Sequence, residues 1–341
     1  MPFTLAHPAV VVPLARRWPD WLPLSALVMG ALAPDLIFLC SLPYVPPDRS
    51  ETTVAFLGLF PIDQQYGHAW PGLLRVSFPT ALAMLALYHG VLKWPLVSLF
   101  PPALRARLVA PAAVFSWTRT PRGIDSAGRA TRIALAILVG LATHVLWDGF
   151  THREGWATRF LPGLLYPIAG HGRSAMTLAE GEQIACSVLG LALIARWARL
   201  WLRAAAPAAP AAPAAAAALA PWRDDRARVA LLTLAGLAVA MIAAARGLWT
   251  YHHMEGAQAV AGGISIGGLW LVRLPAAFLA LYSLAWWTVI DRAALARALA
   301  PGADPVAATG DPQPDSGDPP PAAGDPPPAG AGDPPAASAA P

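Results

Sequence analysis

Residues 131–150 read TRIALAILVGLATHVLWDGF: after Arg132, no Lys, Arg, Asp or Glu appears until Asp148. Twenty residues at helical rise reach about 30 Å, the thickness of a bilayer's hydrocarbon core. The apolar residues fill the run instead of alternating or keeping to one stripe, which marks a membrane span. The two polar groups near its end, His144 and Asp148, are expensive there and call for a reason.

Four further runs resemble it, at 73–92, 184–202, 228–248 and 266–290. A sixth, 22–42, is long enough but carries Asp35 after Pro34, and 8–15 is apolar but too short to cross alone. The expected architecture is all-α: a polytopic integral membrane helical bundle of about six to seven membrane segments. Composition agrees, since only 13% of the 341 residues are charged where a soluble domain carries about 25%. Trp94, Trp117, Trp222, Trp270, Trp286 and Trp287 lie near the ends of runs, where a half-buried indole keeps its N–H wet. The net charge of +4 is not gathered into a block, which argues against a nucleic-acid partner. Cys40 and Cys186 form neither a metal-type pair nor a disulfide framework. In the N-terminal MPFTLAHPAVVVPLARRW the basic residues follow the apolar stretch, the reverse of a signal peptide, so this segment is expected to be retained.

Basic residues set the expected orientation. The connection 93–132 holds seven Lys or Arg residues against Asp125 alone, and 203–228 holds four Arg against Asp224 and Asp225. The positive-inside rule puts both, with the C-terminal tail, in the cytoplasm of a bacterial cell, the protein sitting in the inner membrane. Residues 43–72, 149–182 and 249–265 then face outward. Arg16 and Arg17 belong inside, and Pro19 and Pro23 break RRWPDWLP into a turn, so 7–17 and 22–35 form a hairpin whose ends bring His7 and Asp35 to one level. Four parts follow: a motif-bearing membrane domain, 1–203; a Pro/Ala linker, 204–221; an additional helix pair, 222–299; and a tail, 300–341, rich in Pro, Ala, Gly and Asp, expected to be disordered for want of large apolar side chains.

His144, Asp148 and His152 stand at i, i+4 and i+8 in THVLWDGFTHREGW and so form one stripe on a helix, drifting about 80°. Imidazole and carboxylate from one helix suit a divalent metal, zinc above all. His68, in YGHAWPG, lies on the same side by the charge argument, as do His7 and Asp35. Six groups at one depth suit one or two ions. Plainer readings exist: His-x-x-x-Asp as a hydrogen-bonded pair, Asp35 as a helix cap, His7 as an interfacial residue. His89 belongs nearer the opposite face. His171, His252 and His253 sit in outward loops, and Glu180 and Glu182 are positioned to offer a carboxylate ligand or base. No phosphate loop, G-x-S-x-G elbow or H-E-x-x-H occurs.

Four motifs in this order, PFTLAHPA, ALAPDL, GHAWPGLL and THVLWDGFTHREGW, resemble a bacterial membrane family, domain of unknown function 4184, over about residues 1–203. More distantly the pattern is similar to predicted membrane-bound metal-dependent hydrolases, and through them to zinc-dependent phospholipases C. The resemblance implies metal-ligand roles for His7, Asp35, His68, His144 and Asp148. His152 belongs to the closer motif alone. The second His-x-x-x-Glu helix of the phospholipases has no counterpart, only Glu180, Glu182 and Gln183.

The expected function is a membrane-embedded, zinc-type hydrolase at the outer face, acting on a membrane lipid or lipid-linked ester or phosphodiester. In it His7, His68, His144 and Asp148 hold metal, Asp35 is a ligand or general base, and His152 orients groups or donates a proton. Two rivals use the same residues: a non-catalytic membrane protein whose helices they lock, and a metal-ion or proton transporter. Hydrogen bonds between membrane helices average about 0.6 kcal/mol, which makes locking a poor use of six such groups. Transport calls for polar groups continuing across the membrane, and there only His89 and the hairpin turn are available.

Overall fold

Hydrophobic length sets the elements. In the computed structural model, which describes residues 4–39, 41–43, 53–56, 60–114, 126–170, 175–204, 216–221, 225–254 and 257–290 with Arg292 and Leu295, the chain forms eight main helices. They are α1 (Pro8–Arg17), α2 (Leu24–Leu39), α3 (Trp70–Ser98), α4 (Pro102–Val114), α5 (Ser126–Thr151), α6 (Leu178–Ala204), α7 (Asp225–His253) and α8 (Ala257–Val289). Helices α3, α5, α6, α7 and residues Gly262–Val289 of α8 are long and apolar enough to cross a membrane. Each runs several residues beyond the apolar run that signals it, because backbone hydrogen bonding continues past the last apolar side chain. The expected disorder of 300–341, and most of the linker 204–221, fall outside the described residues.

The expected N-terminal hairpin is present. Trp18–Pro23 separates α1 from α2, and Arg132 at the foot of α5 donates to the Asp20 carbonyl at 2.6 Å while its guanidinium lies 4.8 Å from the Trp21 ring. This bond fixes a common level at the Arg-rich end of the bundle. Counting from it at 1.5 Å per residue, His144 and Asp148 stand roughly 18 and 24 Å away, toward the opposite end of a helix long enough to cross a membrane.

Two glycines draw α2 against α5. A Cβ on Gly30 would strike the Ile137 carbonyl oxygen, and one on Gly140 would strike that of Leu27. The helices therefore touch backbone to backbone, a contact that small residues permit between membrane helices. Around it lies the main core, with Val11, Leu27, Ala31, Leu85, Ile137 and Leu141.

The connection 43–72 holds more than a loop. Antiparallel strands β1 (Ser41–Pro43), β2 (Thr53–Phe56) and β3 (Phe60–Asp63) form a meander, with Ser41 opposite Phe56 and Thr53 opposite Asp63. It feeds a 3-10 turn, Gln64–His68, that leads into α3. The Ser77 hydroxyl donates to the Gly67 carbonyl at 2.8 Å, and Gly72 lies so close to the Tyr66 carbonyl that no Cβ fits. Ser77 closes a π-helical turn, Leu73–Ser77, whose extra residue re-aims the side chains. A second small pair, β4 (Pro167–Ala169) with β5 (Met176–Thr177), precedes α6.

The α7–α8 pair packs on the rest of the bundle. Trp287 donates to the Val91 carbonyl, Trp286 to that of Leu219, Arg228 to that of Leu99 and Arg273 to that of Leu39, at 2.9, 3.2, 3.0 and 2.9 Å. Helix α4, within a connection expected to be basic loop, joins this end through Val109 beside Trp286 and Leu219.

Gly140→Val places a branched side chain against the α2 backbone. Overpacking of this kind costs about 1–3 kcal/mol, so the detergent-solubilised variant is expected to unfold several degrees below wild type. An unchanged thermal midpoint would contradict the backbone contact.

Candidate metal centre

Four of the six predicted residues present one atom each to a common point. Asp35 Oδ1 stands 3.3 Å from His68 Nε2 and 3.6 Å from His144 Nε2. Asp148 Oδ2 stands 3.5 Å from His68 Nε2 and 3.2 Å from His144 Nε2, and the two Nε2 atoms are 3.2 Å apart. All four residues have ligand atoms within 4.8 Å of one another. Ligands at about 2.0–2.1 Å around a tetrahedral ion stand about 3.3 Å apart, and five of the six edges of the cluster lie near that value.

The packing of α2 and α5 explains why these atoms meet. The His144 Nδ1 donates to the Ala31 carbonyl across the glycine contact, at 2.7 Å. A carbonyl only accepts, so Nδ1 is the donor and Nε2 is the nitrogen that faces the two carboxylates. Asp35 follows Ala31 by one turn. It lies within α2, with Pro34 before it, and is fully buried, so it is no helix cap. His68 arrives from the 3-10 turn and is the most open of the four, its side chain 18% exposed.

His7 and His152 approach the other oxygen of Asp148. His7 Nε2 lies 3.4 Å and His152 Nδ1 3.7 Å from Asp148 Oδ1. The His7 ring stacks on His144, with centroids 3.9 Å apart, and meets Trp147 edge-on. Its place is set where Gly190 of α6 packs on Ala6. His152, one residue past the α5 span, donates from Nδ1 to the Asp148 carbonyl at 3.0 Å, leaving Nε2 as its free acceptor; burial holds its pKa below the ordinary histidine value.

Both nitrogens of His7, both oxygens of Asp35, Nδ1 of His68 and Oδ1 of Asp148 are buried without a hydrogen bond in good geometry. Ion-pair distances to neighbouring histidines and carboxylates stand in for some of these bonds, but atoms such as His7 Nδ1 and Asp35 Oδ2 have neither, and leaving a buried polar atom unmet costs about 1–3 kcal/mol. Two buried carboxylates beside imidazole nitrogens offer a divalent cation both opposite charge and lone pairs. The residues present fit a metal ion, and this cluster could hold one.

Other candidates lie elsewhere. Glu180 accepts from Arg153, from the Thr177 amide and from the Thr177 hydroxyl at 2.9, 2.7 and 2.9 Å, so it braces the turn after α5 and is no member of the four-residue cluster. Arg153 also donates to the Ala175 carbonyl. Sequence reading of THREGW picks out His152 and overlooks this bridge, for which an Arg and a Glu 27 residues apart give no local signal. Glu182, on α6, is no member of the four-residue cluster. His89 contacts Ser25 at 3.1 Å, ten residues before Asp35 on α2. His253 donates to the Trp249 carbonyl one turn back, and His252 packs against Tyr251. His171 lies outside the described residues.

The family model for a domain of unknown function (DUF4184) matches residues 1–284. The chain belongs to that family. The match takes in all six cluster residues and most of the α7–α8 pair, beyond the 1–203 over which the motifs carry the resemblance. No curated protein and no solved structure matches the chain.

Purified protein is expected to carry about one zinc-like ion per chain. His144→Ala and Asp148→Asn are expected to reduce it to trace levels, while Glu180→Gln leaves it in place. Equal trace metal in all four proteins by elemental analysis would remove the metal reading.

Proposed function

We propose that the chain is a membrane-embedded, metal-dependent hydrolase that acts on an amphiphilic ester or phosphodiester at the outer face of a bacterial inner membrane, its C-terminal tail in the cytoplasm. The observation that carries this reading is the buried set of Asp35, His68, His144 and Asp148, with near-tetrahedral edges and unsatisfied polar atoms around it. These four residues would hold zinc. When bound, such an ion acts as a Lewis acid and supplies ionised water near neutral pH.

The chain's own residues divide the remaining work. Asp35, enclosed on every side, suits a ligand better than a base. His7 and His152 steady Asp148 through its second oxygen. His152 is the more open of that pair, with its Nε2 uncommitted, and is the group suited to carry a proton to or from a substrate.

An amphiphilic substrate is supported by what surrounds the turn after α5. Trp156 closes against Gly149 at the end of that helix. Beyond it Phe160 and Tyr166 are 77% and 68% exposed, and Leu161, Leu165 and Ile168 are exposed with them. Apolar side chains at a bundle end, level with the end of α5, suit contact with lipid at the headgroup boundary.

Hydrolysis of short-chain lipid esters and phosphodiesters by protein in nanodiscs tests the reading. Activity is expected to vanish on chelation and return with zinc. His152→Gln is expected to lower the rate about 10²–10⁴-fold while bound metal stays at the wild-type level. Loss of metal in His152→Gln would make that residue a ligand instead, and chelation-insensitive turnover would exclude the mechanism. The orientation is checked by a reporter fused near residue 160, expected to report from outside the cytoplasm; a cytoplasmic signal reverses the assignment.

A further inference from the structure

Four protein ligands in a near-tetrahedral array close a metal ion off. Zinc sites of that kind are ordinarily structural, whereas catalytic ones keep three protein ligands and leave the fourth position to water or substrate. Asp35, His68, His144 and Asp148 fill all four corners, so hydrolysis at this site requires one of them to give way.

The four are not held alike. Asp35, His144 and Asp148 stand within the continuous helices α2 and α5, which meet backbone to backbone at Gly30 and Gly140. His68 alone comes from outside them. It ends the 3-10 turn Gln64–His68, and the next residue, Ala69, is extended at φ −81° and ψ 148°, so the turn is not continuous with α3. The second ring nitrogen of a metal-ligating histidine is almost always bonded to a carbonyl or carboxylate, which fixes the ring. His144 has such a bond, to Ala31 at 2.7 Å; Nδ1 of His68 is buried without one.

Access and charge separate them as well. The side chains of Asp35 and His144 are 0% exposed and that of Asp148 10%, against 18% for His68. A fifth ligand joining with His68 still in place would have to arrive past the more enclosed three. A ligating imidazole is neutral and a ligating carboxylate is not, so departure of His68 leaves both compensating charges beside the cation. Departure of Asp35 or Asp148 removes one of them.

We propose that His68 is the exchangeable corner of the centre: its imidazole turns aside to admit water or an oxygen of the substrate, while Asp35, His144 and Asp148 keep the ion. This rests on the metal reading and adds to it the position at which substrate enters.

Cobalt(II) in place of zinc has a visible spectrum that follows its ligands, and the full chain in detergent, loaded with cobalt, tests the assignment. Thiocyanate is expected to alter the wild-type spectrum without releasing the ion. His68→Ala is expected to keep cobalt with lowered affinity and to regain that affinity in millimolar imidazole. It is expected to bind thiocyanate about ten-fold or more tightly than wild type, because no side chain competes for the corner. His144→Ala is expected to stay metal-free in imidazole, since its corner is enclosed. The inference falls if thiocyanate leaves the wild-type spectrum unchanged, or if it binds wild type and His68→Ala equally, as a fifth ligand does. It falls too if His68→Ala holds only trace cobalt with imidazole present; His68→Asn supplies the same comparison where the alanine variant does not fold. Absence of cobalt from wild type removes the metal reading itself, so the two fail separately.

Discussion

The hydrogen bond from His144 to the Ala31 carbonyl, at 2.7 Å, is the contact on which the site depends. It joins the two helices that carry three of the four ligand candidates, and it does so only because Gly30 and Gly140 let their backbones meet. It also fixes the orientation of the His144 ring, and so turns Nε2 toward Asp35 and Asp148. A side chain larger than hydrogen at either glycine separates the helices, and the carbonyl, the imidazole and both carboxylates lose their common point together.

A second constraint is the cost of placing these groups away from water. The surrounding core of Leu27, Leu85, Ile137 and Leu141 offers no hydrogen bonds to compensate for it. The Asp35 and His7 atoms that keep no hydrogen bond, gathered beside a common point, suit an ionic occupant. The near-equal edges of 3.2 to 3.6 Å add shape to that argument. Chemistry and packing therefore point the same way from independent observations.

Much of this is legible in the amino-acid sequence alone. Uninterrupted apolar runs give the spans, since only a helix satisfies its own backbone in lipid. The spacing of His144, Asp148 and His152 places them on one stripe, and hairpin arm lengths bring His7 and Asp35 to its level. What escapes is whatever depends on distant partners. The strands between Ser41 and Asp63 carry no clear alternation, with Pro43 and Pro61 inside them. The split by which Asp148 offers one oxygen to His68 and His144 and the other to His7 and His152 depends on rotamers. Docking of α7–α8 rests on indole N–H groups finding carbonyls such as those of Val91 and Leu219, and no local pattern foretells such a pairing.

The hairpin of α1 and α2 has a consequence for biogenesis. Its arms of 10 and 16 residues are shorter than the roughly 20 a crossing needs, and the second buries a carboxylate. Left alone in lipid it would present Asp35 to hydrocarbon. Its partners on α5 are synthesised more than a hundred residues later. The hairpin is thus made well before the helix that completes its pocket, and its buried carboxylate finds its partners only once α5 has followed it into the membrane.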